Sequence, residues 1–95
     1  MRVFGRREHR AYRLHFDAFL SEAVSMDPGS DRGLDREELF GLYTSWCLLT
    51  GRAPQPETIL WLALRDRGIT PGRNTVAMTG PAARDYIVAS APSVA

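Results

Sequence analysis

Lysine is absent from the 95-residue sequence, so its 12 basic side chains are all arginine. Every cation is therefore a planar fork suited to phosphate. Cysteine occurs once, as Cys47, which excludes an internal disulfide and a zinc site built from several thiolates. Long hydrophobic runs are missing as well. The longest, Ile59 to Leu64, falls far short of the roughly 20 residues of a membrane span. No apolar signal region follows the basic N-terminus, so no secretory address is read and the expected compartment is the cytoplasm. The chain also has no internal repeat and no low-complexity block.

What is present suits one compact domain. Hydrophobic residues make up 44% of the chain, enough for a single core and too many for wholesale disorder. The net charge is only +1, but it is unevenly spread. The first stretch carries Arg2, Arg6, Arg7, Arg10 and Arg13 against Glu8 alone. An acidic middle follows, with Asp17, Glu22, Asp27, Asp31, Asp35, Glu37 and Glu38 against Arg32 and Arg36. The remainder is basic again, through Arg52, Arg65, Arg67, Arg73 and Arg84.

Residues 7–25 read as an amphipathic helix, with Tyr12, Phe16, Phe19, Leu20 and Ala23 on one face. Residues 26–34, opening on Asp27-Pro28-Gly29-Ser30, read as a turn and a loose linker. A second helix spans 35–50. Asp35 with Glu38 forms a capping-box-like start, Leu39, Phe40, Tyr43, Trp46 and Cys47 form its buried stripe, Gly41 and Ser45 face out, and Gly51 stops it. Pro56 suits the first position of a third helix, 56–67, whose core face is Ile59, Leu60, Ala63 and Leu64. Residues 75–90 read as a β-hairpin. Thr75 to Thr79 alternates, Gly80-Pro81-Ala82-Ala83 turns, and Arg84 to Ser90 returns as the partner strand. Residues 91–95 read as a frayed tail.

The expected fold is thus mainly α with a C-terminal β-hairpin: three helices and a two-stranded wing, the layout of a winged helix-turn-helix. The stretch "LDREELFGLYTSWCLLTGRAPQPETILWLALRDRGI", followed by a hairpin ending "RDYIVAS", resembles the C-terminal winged-helix module of phage- and plasmid-type DNA primase–helicase proteins. The residues that carry the resemblance are Tyr43 and Trp46 in a Tyr-x-x-Trp pattern, Gly51 at the helix end, and a proline-containing turn. Leu60 and Leu64 follow in the next helix, which closes in Arg67-Gly68. The resemblance covers about residues 34–90. It implies a DNA-binding accessory domain of a phage or mobile element rather than a primase, because no nucleotide-binding or polymerase motif is present.

In this reading the domain contacts duplex DNA through the third helix and the wing, as a replication accessory or a small transcriptional regulator. Arg65, Arg73 and Arg84 are the phosphate or base ligands; Gln55, Thr58 and Asn74 are lesser polar contacts. The arginines at the N-terminus either extend that surface as a salt-sensitive arm or pair with Glu8, Asp17 and Glu22 on a solvated helix face. The competing reading is a protein-interaction or dimerisation module, in which Trp61 and Leu62 form an apolar surface for a partner or a second copy.

Catalytic chemistry finds no foothold. His9 and His15 lie six residues apart, on different faces of a helix, and not at the i, i+4 spacing of a metal pair. His9 reads as a boundary residue. Cys47 falls in a core stripe and reads as a small hydrophobe. Glu37 and Glu38 suit the positive end of a helix dipole. "TPGRN" lacks the glycine spacing of a nucleotide-binding loop. No enzyme, cofactor, metal or small-molecule substrate is expected.

Overall fold

The structure, a computed structural model, describes residues 6–91, with side chains from Arg10 onward. Arg2, the side chains of Arg6, Arg7 and His9, and the tail after Ala91, for which expectations were given above, lie outside the described residues. Four helices and two short strands make up the fold: α1 Arg6–Ala23, β1 Val24–Met26, α2 Arg36–Thr50, α3 Glu57–Asp66, β2 Val76–Met78 and α4 Gly80–Ser90.

α1 buries Phe16, Phe19 and Ala23 on the face that its sequence spacing marks out. It stops at Ala23, and Val24 to Met26 continue as an extended strand. α2 begins as read. Asp35 is its N-cap, the Asp35 carboxylate accepts from the Glu38 N–H at 2.8 Å, and the Glu38 carboxylate accepts from the Asp35 N–H at 3.0 Å. Its end is closed by Gly51 at φ 70°, with the Arg52 N–H donating to the Cys47 carbonyl and the Gly51 N–H to the Leu48 carbonyl. This is the six-to-one and five-to-two pairing that a left-handed residue permits. α3 ends the same way at Gly68, where Ile69 and Gly68 donate to Leu64 and Arg65. The core is Phe16, Phe19, Leu39, Leu42, Tyr43, Trp46, Leu60 and Leu64, all buried. Each such side chain contributes about 1.5–3 kcal/mol by leaving water.

The C-terminal hairpin is not formed. Residues 76–78 are extended, as the alternation suggests, but their antiparallel partner is β1: Val24 faces Met78, Ser25 faces Ala77 and Met26 faces Val76. The segment read as the return strand is α4. Three features explain the change. Pro81 stands in the first turn of α4, where its fixed φ favours a helix and its missing N–H costs nothing. Ala82 and Ala83 are strong helix formers. Both are also buried, where an exposed hairpin turn would leave them in water.

α4 lies along α2 and against α1, while α3 packs on α1. Gly41 and Ser45, read as facing out, are therefore turned inward: Ser45 is buried, and the Tyr86 ring lies over Gly41 so closely that a methyl group there would overlap it. Phe40 moves the other way and is partly exposed.

The second pair of helices also departs from a helix-turn-helix. After Gly51 the chain does not turn straight into a helix. The Gln55 N–H reaches Tyr43 Oη at 2.7 Å, in the middle of α2, and Glu57 and Trp61 reach Arg36 at the first residue of α2. α3 thus starts beside the beginning of α2, not at its end.

Candidate functional site

The segment between β1 and α2, read as a loose linker, is tied down. Ser30 Oγ accepts from the Gly33 N–H at 2.7 Å, Leu34 is buried, and Gly72 and Asn74 donate backbone hydrogen bonds to Leu34 and Arg32. Asn74, read as a DNA contact, is the clamp. Its Oδ1 accepts from Leu34 N–H at 2.9 Å, and its Nδ2 donates to the Leu34 carbonyl at 2.9 Å and the Thr70 carbonyl at 2.8 Å. Both ends of the amide are consumed by the chain itself.

The other residues of the DNA reading are scattered over different elements. Thr58 and Arg65 are exposed at opposite ends of α3, and Arg73 is exposed at the end of the Thr70-Pro71-Gly72-Arg73 turn. In that turn Pro71 and Gly72, the latter at φ 74°, occupy the two central positions of a type II turn. Arg84 is exposed on α4, with no hairpin to bring it back beside Arg73. Gln55 is half-buried, and its backbone, not its amide, makes the contact with Tyr43.

The apolar reading gains a shape. A groove of about 180 Å³ runs between α1 and α3, walled by Tyr12, Phe16, Ile59, Leu62 and Ala63 and rimmed by Arg13, Asp66 and Arg67. Leu62 is half exposed along it, at 51%. Arg67 holds the two helices in place. It pairs with Asp17 at 2.6 Å and also donates to the carbonyls of Ala63 and Arg13 at 2.9 and 3.1 Å. Its guanidinium is mostly covered, so this fork is a fixed strut between α1 and α3. Trp61 is not a free anchor. It is half-buried, its indole N–H donates to Glu57 at 3.1 Å, and Arg36 lies over its ring at 4.6 Å while pairing with Glu57.

On the other side of α1 an aromatic cluster surrounds His15. Its ring meets Phe16, Tyr43 and Trp46 edge-on, with centroids 4.9, 5.6 and 5.3 Å away, and its Nε2 lies 2.7 Å from Tyr43 Oη. Burial, and then the nearby Arg52 cation, hold the His15 pKa below its ordinary value. Tyr43 Oη shares a hydrogen bond with Nε2, its direction set by the imidazole tautomer, and accepts from the Gln55 N–H. Burial raises the Tyr43 pKa well above that of a free phenol, against the opposing effect of that Gln55 hydrogen bond. Cys47, buried beside Tyr43, is raised by burial too, with Tyr43 and Arg52 opposing. A thiol in that state is a poor nucleophile.

The sequence marked Leu62 as an apolar surface residue but neither the groove's shape nor the His15 cluster. The groove depends on where α3 lands, which follows from the backtracking of residues 52–56, and the cluster depends on α1 meeting α2. Among the described residues, no group of three or more His, Cys, Asp or Glu side chains is placed to hold a metal ion, and no helix is long and apolar enough to cross a membrane. No protein-family model matches the chain, and no match is found among curated proteins or solved structures. The primase–helicase resemblance therefore rests on its own residues.

Proposed function

We propose that this domain is a non-enzymatic interaction module that holds an amphipathic helix of a protein partner in the groove between α1 and α3. The observation that carries the proposal is the groove itself: an apolar channel with Leu62 half exposed on one wall, Tyr12 and Phe16 on the other, and a rigid Arg67–Asp17 pair at one end. A helix in a groove presents apolar residues at i, i+3, i+4 and i+7. Charge selects the flank of that helix. Arg13, on the α1 rim, is exposed with no carboxylate partner among the described residues, whereas Asp17 is already neutralised by Arg67. The partner helix would therefore carry acidic residues on its α1 side.

The nucleic-acid reading loses the feature on which it was built. Without a hairpin, Arg73 and Arg84 belong to separate elements, and Asn74 has no free hydrogen-bonding capacity.

The test is selection from a displayed library of helical peptides, followed by anisotropy titration of the winners. Peptides with the apolar spacing and an acidic flank should be enriched, and Leu62→Arg should weaken them at least about tenfold, the loss expected when one central apolar contact is replaced by a charge. Leu62 is exposed enough for that variant to keep its melting temperature. Enrichment without that pattern, or binding unaffected by Leu62→Arg, overturns the proposal. So does salt-dependent binding of random duplex DNA that Arg65→Ala and Arg73→Ala abolish and Leu62→Arg leaves intact.

A further inference from the structure

A second hollow, of about 510 Å³, adjoins the groove at Tyr12 and lies between α1 and residues 52–55; His15, Arg52 and Gln55 are on its wall, with Leu14 and Ala53 as apolar lining. We propose that this hollow is a binding site for a phosphate group, held between Arg52 and His15.

The argument begins with Arg52. Its backbone is fixed by the closing hydrogen bond of α2, from the Arg52 N–H to the Cys47 carbonyl at 2.9 Å. Its guanidinium is laid flat over the Trp46 ring, 4.7 Å from the centroid. Stacking on an aromatic face orients the fork without using its N–H donors. The other arginines held in place spend theirs: Arg67 on Asp17, and Arg36, which stacks on Trp61 in the same way, on Glu57. Arg52 has no carboxylate partner among the described residues.

His15 is oriented as firmly, by three aromatic rings and by Tyr43. It is close enough to Arg52 for the two to repel when both are charged. The groups that face the imidazole are thus Tyr43 and Trp46 from α2 and Arg52 from the following segment. No carboxylate among the described residues competes for the pair. Glu22 accepts from the Trp46 indole N–H at 2.8 Å, and Asp17 is taken by Arg67. Near the end of α2 three carbonyls are occupied: those of Cys47 and Leu48 accept from Arg52 and Gly51, and that of Trp46 accepts from Thr50 Oγ1 at 2.7 Å.

A dianionic phosphate between these groups would offset the Arg52 repulsion that, second to burial, holds the His15 pKa down. Binding and protonation of His15 are then linked: phosphate raises the His15 pKa, and lower pH strengthens binding until the dianion itself is protonated, which for a monoester occurs near pH 6. Leu14 and Ala53 leave room for a small organic group on the ester.

The experiment follows the His15 imidazole and the two indole N–H signals of the whole chain by NMR. Inorganic phosphate is titrated against chloride at equal ionic strength. The expected result is a selective shift of the Trp46 indole signal, with the Trp61 signal as internal control, saturating with a dissociation constant on the order of 1 mM. The His15 pKa should rise in parallel. Arg52→Gln should abolish both effects, and Arg36→Gln, which removes the other stacked arginine, should change neither. Phenyl phosphate and a short random duplex separate the carriers. Tighter binding of the monoester assigns a small phosphate ester, and tighter binding of the duplex assigns the backbone of a nucleic acid. Trp46 and His15 signals that move no more in phosphate than in chloride, or equally in Arg52→Gln, overturn the assignment.

Discussion

Tyr43 Oη is the atom at which three separate segments meet. It bonds His15 of α1 and the Gln55 N–H of the returning chain from its own place on α2. Tyr43→Phe removes the hydroxyl and keeps the ring, so the aromatic stack with Phe16 and Trp46 remains. The Gln55 donor is then left without its acceptor in a half-buried place. Stranding such a group costs about 1–3 kcal/mol. A urea unfolding series of Tyr43→Phe should show a loss of that size at an unchanged slope. A loss under a few tenths would mean that water replaces the hydroxyl freely. Asn74 illustrates the same economy. An amide that the sequence offers to a ligand is turned inward, because residues 32–34 and 70–74 meet as irregular backbone whose polar groups need partners.

Among the elements, α4 departs furthest from expectation. Its run Tyr86-Ile87-Val88 has the composition of a strand, and intrinsic preference is a weak guide when tertiary packing disagrees. What selects the helix is the surface of α2. Gly41 and Ser45 stand one turn apart there and let α4 approach, with Tyr86 filling the space above Gly41. Gly41→Ala should therefore destabilise the domain by about 1–3 kcal/mol, although alanine is the better helix former, because the added methyl has to displace an aromatic ring. Thermal melting of Gly41→Ala beside Tyr86→Ala and the double variant checks this. The penalty of the methyl should shrink once the ring is gone, and equal penalties in both backgrounds would show that α4 does not rest on Gly41. Gly80 shows the same closeness at the other end of α4. It has φ 76°, and a side chain there would stand 2.7 Å from the Glu22 carbonyl oxygen.

At the scale of the whole molecule, α1 is the shared wall, with the apolar groove toward α3 and the Arg52 hollow toward residues 52–55 meeting at Tyr12. His15 makes this arrangement sensitive to pH. Its folded pKa lies below the ordinary 6.5. As pH falls below that value, the unfolded chain takes up the proton before the folded one does. The stability linked to His15 is therefore complete above about pH 6.5 and declines as pH falls through the folded value. In a phosphate-free buffer, the unfolding midpoint should drop between about pH 7.5 and about pH 5, and His15→Gln should remove part of that drop. A drop of the same size in the variant would assign it to carboxylates instead.

What the sequence by itself determined is whatever depends on neighbours along the chain. The first three helices, the Asp35 capping box, the Gly51 stop, the aromatic core face of α1 and the burial of Cys47 all follow from spacings of three and four and from cap chemistry. The extended character of residues 76–78 was legible for the same reason; its partner was not. Pairing Val24–Met26 with Val76–Met78 joins segments about fifty residues apart, and alternation within one strand says nothing about which other strand completes it. The choice between strand and helix for α4, the inward turn of Asn74 and the two hollows beside α1 were decided only by the tertiary structure. Each depends on surfaces that do not exist until distant segments have met: a small-residue face on α2, an irregular backbone needing donors and acceptors, and an α3 carried back beside the start of α2.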